Sequence, residues 1–253
     1  TNDHVHVYGT EDGGNWIRLG DNKTYNWLLD GAAYYLDTEI RVERENNGNE
    51  LTILQIEKDV VIQVREGKKI IIGNNDNQNY KGAIQAQGVT FTSLTSDTRW
   101  EGIGLYNYSD DAGTVLDSCV IENTVDGIYC SSSSPTLINN IFRNNTDGVV
   151  SDAGSAPIIT GNTFTNNQYP VKIFGNDIDG NLQGNTYTDN LLPDSTSSDY
   201  IFVYGESDNG SYDHLHLNKT HHWLRDGAPY RLTDNIIVWE YTHTSENLST
   251  LKI

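Results

Sequence analysis

Paired carboxylates are the groups in this 253-residue chain whose type and spacing could do chemistry. General acid–base work needs two carboxyls that converge and hold different pKa values. Asp110-Asp111 lies in a Ser-Asp-Asp-Ala-Gly turn. Asp126 and Asp147 each stand before a glycine (Gly127, Gly148), where Asp-Gly reads as an ordinary corner. Arg143 is the only arginine between Trp100 and Tyr200, and no column of aspartates flanks it. Asn176-Asp-Ile-Asp-Gly-Asn181 places Asp177, Asp179 and Asn181 at alternate positions around a glycine, as calcium loops do, but no glutamate closes it. Calcium is thus the one candidate cofactor, against the simpler reading of a solvated turn. His4 and His6, like His214 and His216, share a strand face and could hold a transition metal.

Aromatics form the other candidate set. Tyr8, Trp27 and Tyr34 return as Tyr204, Trp223 and Tyr230 at a constant offset of 196. They read as a cap on an open end, or as a platform on which sugar rings stack. The histidines do not recur: His4 and His6 align with Tyr200 and Phe202, so the metal reading yields to a surface strand.

These residues must be positioned by repeating elements. Leu116, Leu137, Ile159 and Leu182 form a column at 21 to 23 residue steps, and Ile121, Phe142, Phe164 and Tyr187 follow five residues behind. Ile103, Ile128, Val149 and Val171 make a third column, and Cys119, Asn140, Asn162 and Asn185 a fourth. A unit this short has no core of its own and buries its apolar residues only against the next turn. Short β-like runs are separated by Asn-Asn, Asp-Gly and Gly-Asn, which read as turns. Helical periodicity is absent. The expectation is an all-β parallel solenoid.

Runs such as Leu137-Ile-Asn-Asn-Ile-Phe-Arg-Asn-Asn-Thr-Asp-Gly-Val-Val150 and Ser155-Ala-Pro-Ile-Ile-Thr-Gly-Asn-Thr-Phe164 resemble right-handed parallel β-helix repeats of the pectin-lyase-like superfamily. The resemblance spans roughly residues 50 to 190. It implies an internal ladder at Asn140, Asn162 and Asn185, whose amides bond from coil to coil, whereas Asn167 reads as exposed. It also raises acidic-polysaccharide lyase or epimerase chemistry as the alternative function. The Gly-His-Gly and Arg-Ile-Lys partners of the superfamily's hydrolases are missing here.

A longer repeat is nested over the short one. Trp27, Leu28, Asp30, Gly31, Ala32, Tyr34, Leu36, Ile40 and Val42 match Trp223, Leu224, Asp226, Gly227, Ala228, Tyr230, Leu232, Ile236 and Val238. With a four-residue insertion, Leu51-Thr-Ile53 matches Leu251-Lys-Ile253. The expected division is a strand-rich leader (1–48), about six β-helix coils (49–200), and a partial second leader (201–253). Either the chain is a fragment of a larger repetitive protein, or it ends on a copy of its own beginning. Asp30-Gly-Ala-Ala-Tyr34 and Trp100-Glu-Gly-Ile103 resemble large repetitive exported proteins of archaea and bacteria, which implies surface-layer or sheath architecture.

The chain carries 35 acidic against 16 basic residues, a formal charge of −19. Such a surface repels nucleic acid and anionic lipid, which bind through clustered cations. No apolar run approaches a membrane span. Thr1 and the lack of a signal-peptide pattern suggest that an export signal or initiator Met has already gone. Six Asn-x-Ser/Thr sequons are compatible with export. Cys119 and Cys130, half a coil apart, are expected on different walls as buried free thiols. The expectation is an extracellular structural protein that self-associates, with glycans as the alternative partner.

Overall fold

The computed structural model describes residues 4–8, 16–44, 51–74, 80–205, 212–215, 220–233, 235–238 and 250–253. Its strands, all parallel to their neighbours, build three long sheets that wind as a right-handed β-helix. The first sheet stacks β1 (His4–Val7), β4 (Ala33–Leu36), β7 (Val61–Val64), β10 (Thr90–Ser93), β13 (Val120–Glu122), β16 (Ile141–Arg143), β19 (Thr163–Thr165) and β22 (Thr186–Thr188). The second stacks β2 (Trp16–Leu19), β5 (Glu39–Val42), β8 (Lys69–Ile72), β11 (Trp100–Leu105), β14 (Thr124–Cys130), β17 (Asp147–Ser151), β20 (Tyr169–Phe174), β23 (Ile201–Tyr204) and β26 (Tyr230–Leu232). The third stacks β3 (Thr24–Trp27), β6 (Thr52–Ile56), β9 (Gly82–Gln87), β12 (Val115–Asp117), β15 (Thr136–Ile138), β18 (Ile158–Thr160) and β21 (Leu182–Gln183).

Strand alternation explains the core. Successive side chains point to opposite faces, so one residue of each short strand enters the solenoid. Leu116, Leu137, Ile159 and Leu182 are sheet partners in one column and are buried. Phe91, Ile121, Phe142, Phe164 and Tyr187 form the second column. Ile40, Ile70, Ile103, Ile128, Val149, Val171 and Ile201 form the third. Each such side chain contributes about 1.5–3 kcal/mol on burial, but only while a neighbouring coil covers it.

Residues 4–44 supply β1 to β5 to the same three sheets. The C-terminal segment rebuilds this start. β24 (Tyr212–Leu215) pairs with β27 (Asn235–Val238), and β25 (Thr220–His222) with β28 (Thr250–Lys252). Val5↔Tyr34 becomes Ile201↔Tyr230, and Ile17↔Ile40 becomes Asp213↔Ile236, each at the offset of 196. The alignment of Leu251-Lys-Ile253 with Leu51-Thr-Ile53 is corrected. Tyr25 pairs with Leu54, and its counterpart His221 with Leu251, so Leu54-Gln-Ile56 is the true match. Leu51-Thr-Ile53 and Leu54-Gln-Ile56 share one Leu-x-Ile pattern, which is why the sequence match fell three residues short. One discontinuity marks the junction: β23, the copy of β1, continues the second sheet, whereas β1 belongs to the first.

Candidate functional site

From Ser118 onward, each coil turns one corner through a left-handed residue followed by an inward polar one, where the earlier corners Asp59 and Gly88 are followed by buried Val60 and Val89. Ser118, Asn139, Gly161 and Gly184 have φ of 56°, 56°, 67° and 66°. They precede Cys119, Asn140, Asn162 and Asn185, all buried. Asn and Gly tolerate this backbone region best, which accounts for the Asn-Asn and Gly-Asn dipeptides. The first residue bends the chain and the second enters the interior.

There Asn140, Asn162 and Asn185 form a ladder. Backbone N–H groups of Cys119, Asn140 and Asn162 donate to Oδ1 of the asparagine one coil on, each at 2.8 Å. The Nδ2 groups donate to the carbonyls of Leu116, Leu137 and Ile159 at 2.8–2.9 Å. The ladder is thus mainly side chain to backbone, with one direct amide contact, Asn162 Nδ2 to Asn185 Oδ1, at 3.1 Å.

A second ladder runs five residues behind, and here the reading of Asn167 as exposed is overturned. Asn145, Asn167 and Asn190 are buried. N–H groups of Thr124, Asn145 and Asn167 donate to the next Oδ1 at 3.0, 3.1 and 2.9 Å. Asn123, Asn144, Asn166 and Asp189 are its left-handed corners. The signal was present in the same 22 and 23 residue steps, but the ladder reading took in only the column of Asn140, and Asn144-Asn145 and Asn166-Asn167 passed as turns.

Both ladders end on aspartates that sequence reading did not single out. Asn190 donates through N–H and Nδ2 to Asp199 Oδ1 at 3.1 and 2.7 Å. Asn185 donates through N–H to Asp226 Oδ1 at 2.9 Å and through Nδ2 to Oδ2 at 2.7 Å. Asp226 is 1% exposed and belongs to the repeated C-terminal module. The stacked rings of Phe142, Phe164 and Tyr187, 5.0 and 5.2 Å apart, end there too, because Tyr187 donates its hydroxyl to Asp226 at 2.9 Å. Burial, then the Asp226 charge, holds the Tyr187 phenol well above its usual pKa. A carboxylate has acceptors and no donors, so it suits a ladder end that presents only donors.

Of the recurring aromatics, Trp27 is buried and stacks on Tyr34 at 5.0 Å, while Trp223 packs near Tyr230 at 5.4 Å. Tyr34 and Tyr230 donate to the carbonyls of Leu28 and Leu224. Tyr204 donates to Ser151 O at 2.9 Å, whereas Tyr8 is 67% exposed. Trp223, Ala228, Pro229, Tyr230, Leu232 and Ile253 line an apolar groove of about 430 Å³. Leu232 is 50% exposed there, while its counterpart Leu36 is fully covered by the next coil.

Asp177, Asp179 and Asn181 hold neighbouring backbone. Asp177 accepts from Gly154 N–H at 3.0 Å, Asp179 accepts from His222 N–H at 3.2 Å, and Asn181 donates to Ala156 O and Asp177 O. Among the described residues, no three or more His, Cys, Asp or Glu converge as metal ligands. His4 and His6 lie 6.2 Å apart beside Tyr35. His216 and the side chain of His214 fall outside the described residues. Asp110 accepts from Gly113 N–H and Asp111 from Ser134 N–H. Cys119 and Cys130 are free and buried, and burial pushes the Cys119 thiol up to about 11.

Asp126 and Asp147 are not corners. They are register partners inside β14 and β17, where Gly127 and Gly148 allow tight coil packing. Burial, with Asp147 adding its charge, pushes Asp126 up to about 6. Lys172 donates to Asp147 at 2.9 Å.

The family model for a right-handed β-helix region matches residues 38–190. No curated protein and no solved structure matches the chain. With three parallel sheets, inward columns and a family match over more than half its length, the chain belongs to the right-handed β-helix family.

Proposed function

We propose that this protein is a structural building block of an extracellular surface layer, sheath or adhesive assembly, joining copies of itself through the ends of its β-helix. The supporting observation is the duplicated module, whose second copy is seated on coil β20–β22 through Asp226 and the β20–β23 strand pair. A solenoid end is a row of unpaired backbone groups, and a heterologous contact between unlike ends generates a filament. The net charge of −19 opposes contact at low ionic strength. Salt or millimolar calcium therefore favours assembly. Negative-stain electron microscopy of the concentrated chain at low and high ionic strength tests this. Filaments or sheets that increase with salt support it, and dispersed particles under every condition contradict it.

A second reading, an acidic-polysaccharide lyase or epimerase, has one observation in its favour: the Asp126–Asp147 pair with Lys172 alongside, one carboxyl raised to about 6. Perturbed carboxyls of this kind mark functional sites. Unsaturated products detected by absorbance, and lost in Asp126→Asn, would establish it; no turnover of acidic polysaccharides removes it.

A further inference from the structure

The repeated module occurs twice, and only its second copy is docked on an asparagine ladder. In that copy Asp226 takes both donors of Asn185 and the hydroxyl of Tyr187. Gly227, at φ +74°, brings its backbone so close that a Cβ would lie 2.3 Å from Asn185 O. Glycine alone permits that approach. Tyr204 reaches Ser151 O, and β23 pairs along β20.

The first copy carries the same residues facing outward. Asp30 is exposed, and its hydrogen bond is to Ala32 N–H at 3.2 Å. Gly31, at φ +92°, has nothing within 4 Å of where a Cβ would stand. Tyr8 is 67% exposed, and β1 is the outermost strand of its sheet. Asp30, Gly31, Tyr8 and the β1 edge thus stand, among the described residues, without the partners that their counterparts have. Asp199, which ends the second ladder, has its own counterpart by the same offset in the sequence, Asp3, which lies outside the described residues.

We infer that the Asp30-Gly31 corner and the edge of β1 form a docking surface for the ladder-end coil of a second copy of this chain, the corner meeting Leu182 to Thr188 and the strand edge meeting β20, as Asp226 and β23 do within one molecule. This rests on the self-association reading above and names its interface. The chemistry is specific. Asp30 offers acceptors to a ladder end that presents the N–H and Nδ2 of Asn185 and the Tyr187 hydroxyl. The stretch from Leu182 to Thr188 bears no charged side chain, so Asp30 meets no like charge within it. Within one molecule the seat is held by Asp226. The first module of one chain and the second module of another therefore compete for it, and exchange of near-identical contacts is a low-cost route to association.

Sedimentation velocity on four versions of the 253-residue chain tests the surface: wild type, Asp30→Ala, Asp226→Ala and the double variant. Asp226→Ala loosens the resident module and is expected to sediment at twice the monomer mass or more. The double variant is expected to return to monomer. A monomeric Asp226→Ala, or a double variant as large as Asp226→Ala, overturns the inference. Should Asp226→Ala lose its β-sheet circular dichroism, Asp226→Asn, which keeps one acceptor, replaces it under the same two criteria. Wild-type assemblies unchanged by Asp30→Ala overturn this surface while leaving self-association standing. A wild type that stays monomeric removes the assembly reading, and the Asp226 pair of variants still decides the surface.

Discussion

Asn185 and Asp226, 41 residues apart, are joined by two hydrogen bonds of 2.9 and 2.7 Å, and through them a ladder of the solenoid ends on the repeated module. Removing that carboxylate leaves the Asn185 N–H, one of its two Nδ2 protons and the Tyr187 hydroxyl buried without acceptors, while Nδ2 keeps its bond to the Ile159 carbonyl. Asp226→Ala should cost about 2–4 kcal/mol in denaturant unfolding. Asp30→Ala, at the exposed counterpart, should stay within about 0.5 kcal/mol. Equal costs would show that Asp226 does not hold the module.

The two ladders make a paired prediction. Asn162→Leu strands the Asn140 N–H and the Leu137 carbonyl, and Asn167→Leu strands the Asn145 N–H and the Phe142 carbonyl. Each orphaned group costs roughly 1–3 kcal/mol. Both variants should melt well below wild type and by similar amounts. A near-native melting temperature for Asn167→Leu would dissolve the second ladder.

The columns of Leu116 and Phe142 were legible in the sequence because one inward residue per short strand, repeated every 21 to 23 positions, leaves a visible period. Asn145, Asn167 and Asn190 kept the same period yet were missed, since an asparagine pair serves as a corner and an interior residue at once. Asp199 and Asp226 were illegible for another reason. A ladder is closed by a different residue type, at spacings of 9 and 41 that the coil repeat does not set. The duplicated Asp30-Gly31 pair was visible as a repeat, but its role appears only where Gly227 meets Asn185.

Asp126 sets a pH dependence. Its folded pKa, about 6, lies above the ordinary 3.8, so the folded state holds a proton that the unfolded chain has released. This contribution is complete below pH ~4 and is lost as pH rises through 6. Asp126→Asn, which stays neutral, should stabilise the fold at pH 7.5 by about 1–2 kcal/mol, allowing for solvent screening at a half-buried site. At pH 3.5 it should have little effect. Equal gains at both pH values would mean that the carboxyl is not strained by ionisation.

At high pH the tyrosines dominate. Tyr230 and Tyr129 are each pushed up to about 12, first by burial and then by the charge of Asp226 and the hydrogen bond to Asp152 respectively. Their raised folded values leave stability intact below pH ~10 and remove it as pH climbs toward 12. Urea midpoints should fall across that window, and Tyr230→Phe should flatten the fall. A midpoint independent of pH from 9 to 12 would contradict the burial of these phenols.

Copies of this chain are proposed to meet through the ends of the β-helix, and sedimentation velocity of the unmodified 253-residue chain over a hundredfold range of concentration tests this most directly. At about 150 mM salt, where surface repulsion is screened beyond roughly 8 Å, species heavier than the 28.3 kDa monomer should grow with concentration. A single boundary at monomer mass across the whole range would contradict it.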